Sequence, residues 1–296
     1  MNCFCSDLII QNLKVCKQSK IPDYNFLMKS VIYNGATFWN QNPCGGRWSE
    51  YSKFIDWYLK TEPYLLDIIA SISFYGKTLI DIGCGQGIMC NLAAQRNARV
   101  VGIDISFNSL QVAKQGSIEL GTGHKTLYVQ ADAENLPFKN SMVDIVFSIG
   151  VLHHTPSIQN GINEIKRILK PYGEITIMLY RRGNPKWCVT KNIRAISKII
   201  KKHSSKERIS RNNAKAPMGT AIQELLDVPI MNAYSNEESQ QLFSSFQDIT
   251  IKNYQAGFTR LIDFQPWLIL FKPILKWIDN NMQTKWGFYQ VIKAKK

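Results

Sequence analysis

From residue 77 onward the apolar positions switch between two periods. TLIDIG (78–83) is an apolar run around a single carboxylate, Asp81, as in a strand buried on both faces. IMCNLAAQRN follows at helical spacing, ARVVGIDIS makes a second strand that closes on Asp104, and FNSLQVAKQGSIEL returns to helix. TLYVQADA and VDIVFSIGVLHH read as the third and fourth strands. In IQNGINEIKRIL the isoleucines 158, 162, 165 and 168 fall on one helical face, and EITIMLYRR reads as a fifth strand. Strands alternating with helices of this length predict βαβ units, a parallel sheet and right-handed crossovers. Further on, NEESQQLFSSF predicts a helix, and QDITIKNYQ and WGFYQVIKAKK two more strands. The stretch between those last strands is too long for a hairpin connection.

Residues 1–76 carry a different pattern, mostly helical, and we expect them to form a lid or cap on a sheet domain spanning 77–296. Tyr51, Phe54, Ile55, Trp57 and Tyr58, then Leu65, Leu66, Ile68 and Ile69, fit two amphipathic pieces broken near Pro63. Two insertions interrupt the sheet domain, a basic one at 183–231 and an aromatic one at 259–285.

Composition narrows the class. Of 296 residues, 45% are apolar and 20% charged, ordinary values for a globular domain. Seven cysteines show no metal-ligand spacing, and reduced thiols in a cytoplasm are the expectation. The N-terminal run has no basic start and carries Asp7, unlike a signal peptide, and no apolar run reaches the length that crosses a bilayer. The net charge of +14 is concentrated: residues 181–215 hold twelve Lys or Arg against Glu207, so +11 sits there and +3 in the remainder.

The chemistry is in the glycines. Gly83, Gly85 and Gly87 follow the first strand at alternate positions, so a ligand can approach backbone N–H groups at a helix start. Dinucleotide folds use GxGxxG; here position 88 is Ile. Asp81 stands beside the loop, Asp104 ends the second strand at the distance where a carboxylate accepts a ribose diol, and Asp132 closes the third strand, placed to receive an adenine amine. Acidic groups at three successive strand ends, with no cation to hold a phosphate, describe an adenosine joined to a cationic amino acid, S-adenosylmethionine.

DIGCGQG, VVGIDIS, ADAENLPF, VDIVFSIGVLHH and EIKRILKPYGEITIMLY stand in the order and spacing of a known family. The chain resembles the class I S-adenosylmethionine-dependent methyltransferases, within the group that includes the ubiquinone and menaquinone methyltransferases, over residues 78–182. The resemblance implies an α/β Rossmann-like doubly wound sheet of seven strands with the last antiparallel. It also implies cofactor contacts from Gly83, Cys84, Gly85, Gly87 and Ile149, ribose bonding by Asp104 beside Ile105, and adenine contacts near Asp132 and Ala133. One departure is KPYG, where the family usually has glycine in place of Tyr172.

Methyl transfer from a sulfonium needs chiefly alignment and exclusion of water, and a base only where the acceptor must lose a proton. His153 and His154, just past the fourth strand, are the candidate bases; packing beside that loop is the alternative role. The loop FWNQNPCGGRW is expected to fold over cofactor and acceptor, with Trp39, Asn40, Arg47, Trp48 and Tyr51 lining it, or else to staple the N-terminal helices to the sheet. Cys44 reads as a packed thiol. The Asn/Asp-Pro-Pro-aromatic turn of nucleic-acid amino-methylating enzymes has no counterpart after the fourth strand.

KNIRAISKIIKK (191–202) puts Ile193, Ile196 and Ile200 on one side and Lys191, Arg194, Lys198 and Lys201 on the other, which fits a solvated helix or one lying on a membrane or polyanion. WLILFKPILKWI (267–278), broken by Pro266 and Pro273, reads as an interfacial patch, a cavity cover or a dimer contact. The expected function is methyl transfer to O, C or N of a small-molecule or lipid-linked metabolite, in the cytoplasm with peripheral membrane contact through the two insertions. The alternatives are an RNA methyltransferase using residues 181–215 and a non-catalytic cofactor-binding protein.

Overall fold

The computed structural model describes residues 35–46, 48–188, 190–192, 194–195, 228–256 and 266–296. Most of the basic insertion, and Arg47, lie outside the described residues. After a short helical turn at 35–41 come α1 (Tyr51–Thr61) and α2 (Tyr64–Ala70), with Pro63 at the start of α2 as the break near that residue predicts.

The βαβ region is β1 (Thr78–Ile82), α3 (Ile88–Gln95), β2 (Arg99–Asp104), α4 (Phe107–Glu119), β3 (Thr126–Gln130), β4 (Val143–Ile149), α5 (Ile158–Ile168) and β5 (Leu169–Tyr180). Then follow α6 (Asn236–Leu242), β6 (Gln247–Tyr254), α7 (Lys272–Trp286) and β7 (Tyr289–Lys295). Side-chain oxygens start several helices: Ser106 caps α4, Ser157 caps α5, and Ser235 with Glu238 forms a capping box on α6.

The seven strands form one sheet in the order β3-β2-β1-β4-β5-β7-β6. β7 runs antiparallel to both β5 and β6, as expected for the last strand. The chain winds outward from β1 to β3, then restarts at β4 on the other side of β1. The β1/β4 junction is therefore the switch point above whose carboxyl ends ligands bind in doubly wound sheets. Alternate β1 residues explain the two layers. Leu79 packs with α2 and α3 on one face, while Ile80 and Ile82 pack with the isoleucines of α5 on the other.

β5 differs from the strand expected at EITIMLYRR. It begins at Leu169 and takes KPYG in as an irregularity in its pairing with β4, with Tyr172 at φ 61 where the family pattern would have glycine. It ends at Tyr180, because Arg181 leaves it to bridge Tyr234. β3 stops at Gln130, so Asp132 lies beyond it in a turn bridged to Asn135.

Candidate functional site

The site is built on the carboxyl ends of β1, β2, β3 and β4. The loop after β1 is tied to β2, since the backbone N–H groups of Gly83 and Cys84 both donate to the Ile103 carbonyl, at 2.6 and 2.8 Å. Gly83 has φ 71, and a Cβ there would land inside the Val151 side chain, so only glycine lets the loop after β1 touch the loop after β4. Gly85, at φ 53, has open space where its Cβ would be. Its N–H donates to Oδ2 of Asp104 at 2.8 Å, while the Ser106 N–H donates to Oδ1 at 2.7 Å. Asp104 is thereby held with one lone pair on each oxygen still directed elsewhere.

Asp81 is buried in β1, with the Cys90 thiol 3.4 Å from its Oδ2. Burial pushes its pKa up to about 7, and the charge of Asp104 adds to the effect. Burial also raises Asp104, against the backbone N–H bonds of Ser106 and Gly85, and raises Asp132, which accepts from the Glu134 N–H at 2.9 Å. The Cys84 thiol is pushed up to about 11 and that of Cys90 well up, both chiefly by burial, so both remain neutral.

The expected contact residues divide by where they face. Asp81, Gly83, Gly85, Asp104 and Ile105 surround the loop, with Asp132 and the buried Ala133 beyond β3 and Ile149 at the end of β4. Gly87 turns the other way: a Cβ there would meet Ala113 of α4 and the Tyr128 hydroxyl. The Cys84 side chain packs toward Gly102. These two shape the loop from within.

The aromatic N-terminal loop divides too. Asn40 accepts at its Oδ1 from the Ser106 hydroxyl (3.1 Å) and the Asn108 N–H (3.2 Å), just past β2. The neighbouring Trp39 ring lies 5.4 Å from that of His154, just past β4. The 35–41 turn therefore crosses from one side of the glycine loop to the other. Trp48 and Tyr51 belong instead to a staple. Trp48 packs on Phe54 and Trp57, and Tyr51 is buried with its hydroxyl donating to the Gln86 carbonyl at 2.6 Å.

The two histidines also separate. His153 is wholly buried, its ring 3.9 Å from that of Tyr180, and burial, with His154 beside it, holds its pKa well below the usual range. A neutral ring packed in this way has no path to an acceptor's proton. His154 is half-buried, and its Nδ1 lies 2.7 Å from the Ile230 carbonyl. A carbonyl oxygen only accepts, so Nδ1 carries the proton and the lone pair sits on Nε2.

Does this donor set fit the group inferred from the sequence? Three carboxylates crowd one sheet edge, each destabilised in its charged form by burial, and the loops 83–87, 104–108 and 132–136 contain no Lys or Arg. Such a site repels a dinucleotide's pyrophosphate and favours a ligand with an ammonium, a ribose diol and an exocyclic amine. The residues fit S-adenosylmethionine.

Residues 80–177 match the family model described as a methyltransferase domain. This segment is a class I S-adenosylmethionine-dependent methyltransferase domain. The domain is similar to the ubiquinone biosynthesis O-methyltransferase of Citrobacter koseri, 33% identical over 131 residues, covering 43% of this chain and 53% of that protein. The Salmonella arizonae protein of the same name is 32% identical over 131 residues, with the same two shares of 43% and 53%. The chain thus spans about half the length of the curated relatives it matches. Two solved structures share the fold. One is a candidate sarcosine dimethylglycine methyltransferase from Galdieria sulphuraria, with TM-score 0.54 and 13% identity, covering 90% of this chain and 98% of that one. The other is the [4+2]-cyclase SpnF, with TM-score 0.53 and 18% identity, covering 94% and 99%.

Around the glycine loop stand several positioning residues that the sequence motifs do not single out. Gln86 donates from Nε2 to the carbonyls of Cys44 (2.7 Å) and Gly46 (2.9 Å), joining the N-terminal loop to the glycine loop. Asn91, fully buried on α3, donates to the Tyr51 hydroxyl at 2.8 Å and accepts from Thr122 at 2.5 Å. A polar residue inside the apolar stripe of α3 was the available hint. The segment 228–234 reaches the histidine loop, where the Asn232 N–H donates to the His153 carbonyl at 3.0 Å, and no pattern predicts that from sequence.

Proposed function

We propose that this chain transfers a methyl group from S-adenosylmethionine to an acceptor atom of a small-molecule or lipid-linked metabolite. The observation that supports it most is the trio Asp81, Asp104 and Asp132 at adjacent strand ends around an open glycine loop, with no cation among the loop residues. When bound, the cofactor supplies an electrophilic methyl group on a sulfonium sulfur.

The chain's own residues bind, orient and exclude water. Asp81 receives the ammonium, Asp104 the ribose hydroxyls, and Asp132 with Ala133 the adenine edge. Ile105 and Ile149 give apolar contact, and the 35–41 turn covers the edge, with Trp39 over the side where His154 lies. The relatives' names favour a hydroxyl acceptor among O, C and N. In that reading the Ile230 carbonyl holds the His154 ring with its lone pair on Nε2, an atom that is covered in the structure and takes the hydroxyl proton only once the side chains over it move aside, and His153 with Tyr180 supports the loop from below. His154→Gln then lowers kcat and leaves the affinity for S-adenosylmethionine unchanged. An unchanged kcat refutes the base role.

The reaction itself is tested by incubating the protein with methyl-tritiated cofactor and host extract, then separating organic-soluble, aqueous small-molecule and RNA fractions. Label in either of the first two supports the proposal. Label in RNA alone, or bound cofactor with no transferred label, contradicts it.

A further inference from the structure

The aromatic insertion carries an unusual surface. Among the described residues, half of the twelve large apolar side chains that are exposed fall between positions 267 and 277: Trp267, Ile269, Leu270, Phe271, Ile274 and Trp277. Leu270 is 81% exposed and Trp277 60%. They lie on a 3-10 turn, Pro266–Phe271, that runs directly into α7, and α7 has no buried residue in its fifteen. Such a helix gains little folding stability from packing, its half-buried apolar residues being Leu275, Ile278, Met282 and Trp286, and soluble monomers rarely leave so many apolar side chains together in water.

The fold places this surface. β6 is parallel to β5, and Tyr254 and Tyr289 are both in register with the end of β5. The described residues that lead into β7, from 266 on, therefore join the sheet at the edge that carries the glycine loop, Asp104 and His154. The last turn of α7 is anchored there, with the Thr284 carbonyl accepting from Asn253 at 2.9 Å and that of Lys285 accepting from Arg181 at 2.7 Å. The apolar residues sit on the turns farther from those anchors.

Charge selects the occupant. Across 266–286 the one acidic residue, Asp279, stands against Lys272, Lys276 and Lys285, and Lys272 and Lys276 are exposed on a face of α7 other than that of Ile274 and Trp277. A helix is about 10–12 Å across, comparable to the screening length of about 8 Å at physiological salt, so both ammonium groups act on whatever the apolar face meets. A second copy docked on the same face would set these lysines against their own counterparts. An anionic lipid surface satisfies both features, with Trp and Phe at the headgroup boundary and lysines drawn to lipid phosphates.

We propose that the 266–277 surface docks this protein on anionic membranes, so that the edge bearing the cofactor loop faces the bilayer and takes a hydrophobic acceptor from it. The acceptor half of this statement rests on the methyltransferase reading above; the docking half does not.

The test uses the full chain with vesicles of phosphatidylcholine alone, and of phosphatidylcholine with roughly one quarter phosphatidylglycerol. Wild type sediments with the anionic vesicles, and added salt weakens the association. Lys272→Glu with Lys276→Glu lowers the affinity at least roughly tenfold, and Leu270→Ser with Trp277→Ser does the same at constant charge. Brominated acyl chains quench wild-type tryptophan fluorescence, and much of that quenching disappears in Trp267→Phe with Trp277→Phe. All these positions are exposed, so thermal unfolding stays at the wild-type temperature. No vesicle binding by wild type, or binding unchanged in the Leu270/Trp277 variant, overturns the proposal. A wild-type dimer that the same variant turns into monomer, with no lipid binding, also overturns it and makes the patch a self-association surface. Cofactor affinity measured without vesicles separates the two readings. Its failure in wild type defeats methyl transfer and leaves the docking result standing.

Discussion

Asp81 carries the sharpest consequence at the scale of single residues. Its ordinary pKa of 3.8 is raised to about 7 by burial, so the folded protein without cofactor holds a proton there that the unfolded chain releases. That stabilisation is complete below about pH 4 and is lost as pH rises to about 7, above which the buried charge costs its full penalty. Asp81→Asn should therefore raise the melting temperature of the cofactor-free protein at pH 8, by the equivalent of roughly 1–2 kcal/mol, and leave it unchanged near pH 4. In wild type, affinity for S-adenosylmethionine should fall as pH drops below about 7, approaching tenfold per pH unit, because protonated Asp81 no longer attracts the ammonium. Titration calorimetry across that range, with urea unfolding beside it, checks both signs.

The two loop glycines make a paired prediction. Gly83→Ala puts a methyl into Val151 at positive φ and should cost about 2–4 kcal/mol in urea unfolding. Gly85→Ala meets nothing and should cost only about 1 kcal/mol, the backbone strain alone. Equal costs would mean that the loop is not packed against Val151. The glycine spacing and the three aspartates were legible in sequence because close backbone approach and repeated acidic strand ends are local signals. The difference between Gly83, facing Val151, and Gly87, facing Ala113, was not. It depends on which distant loop lies over each one. His153 and His154 were indistinguishable for the same reason, since only the fold says which ring is stacked on Tyr180.

At the scale of elements, the N-terminal aromatic region is two devices. Tyr51 holds α1 to α3 through Gln86 and Asn91, with Trp48 packed on Phe54 and Trp57 of α1, whereas Trp39 and Asn40 reach from the loop after β2 to that after β4. Hydrogen exchange should show this division. Saturating S-adenosylmethionine should slow exchange strongly in 35–46 and little in 51–61, whose packing on α3 is already complete. Equal protection of both segments would make the whole region a lid, and no change in 35–46 would make it all staple. Composition predicts aromatic contact for both parts and cannot divide them, because the division lies in hydrogen bonds to residues more than thirty positions away. The strands and helices of 78–180 were legible almost throughout because the apolar period changes at each boundary. The exceptions were β3 and β4, which stop at Gln130 and Ile149 so that Asp132 and the histidines lie in turns beyond them, and β5, where the Tyr172 irregularity hid its first residues.

At the scale of the whole molecule, one direction organises the chain. The doubly wound order puts the switch point between β1 and β4, and the connections after β5 and between β6 and β7 leave from that same edge. Glycine loop, 35–41 turn, histidine loop and exposed aromatic surface are thus collected at one end of the sheet. The sequence made the winding predictable, since alternating strands and helices admit few topologies. It gave no measure of how exposed 267–277 would be, because a run of apolar residues reads the same whether it is buried or bare.

The most direct test of this account is calorimetric titration of the purified chain with S-adenosylmethionine, with S-adenosylhomocysteine and with NAD, for wild type and Asp104→Ala. The account predicts one site that takes the two adenosyl amino acids, no heat with NAD, and loss of binding in Asp104→Ala with the fold intact. Binding of NAD, or S-adenosylmethionine binding indifferent to Asp104, would contradict it.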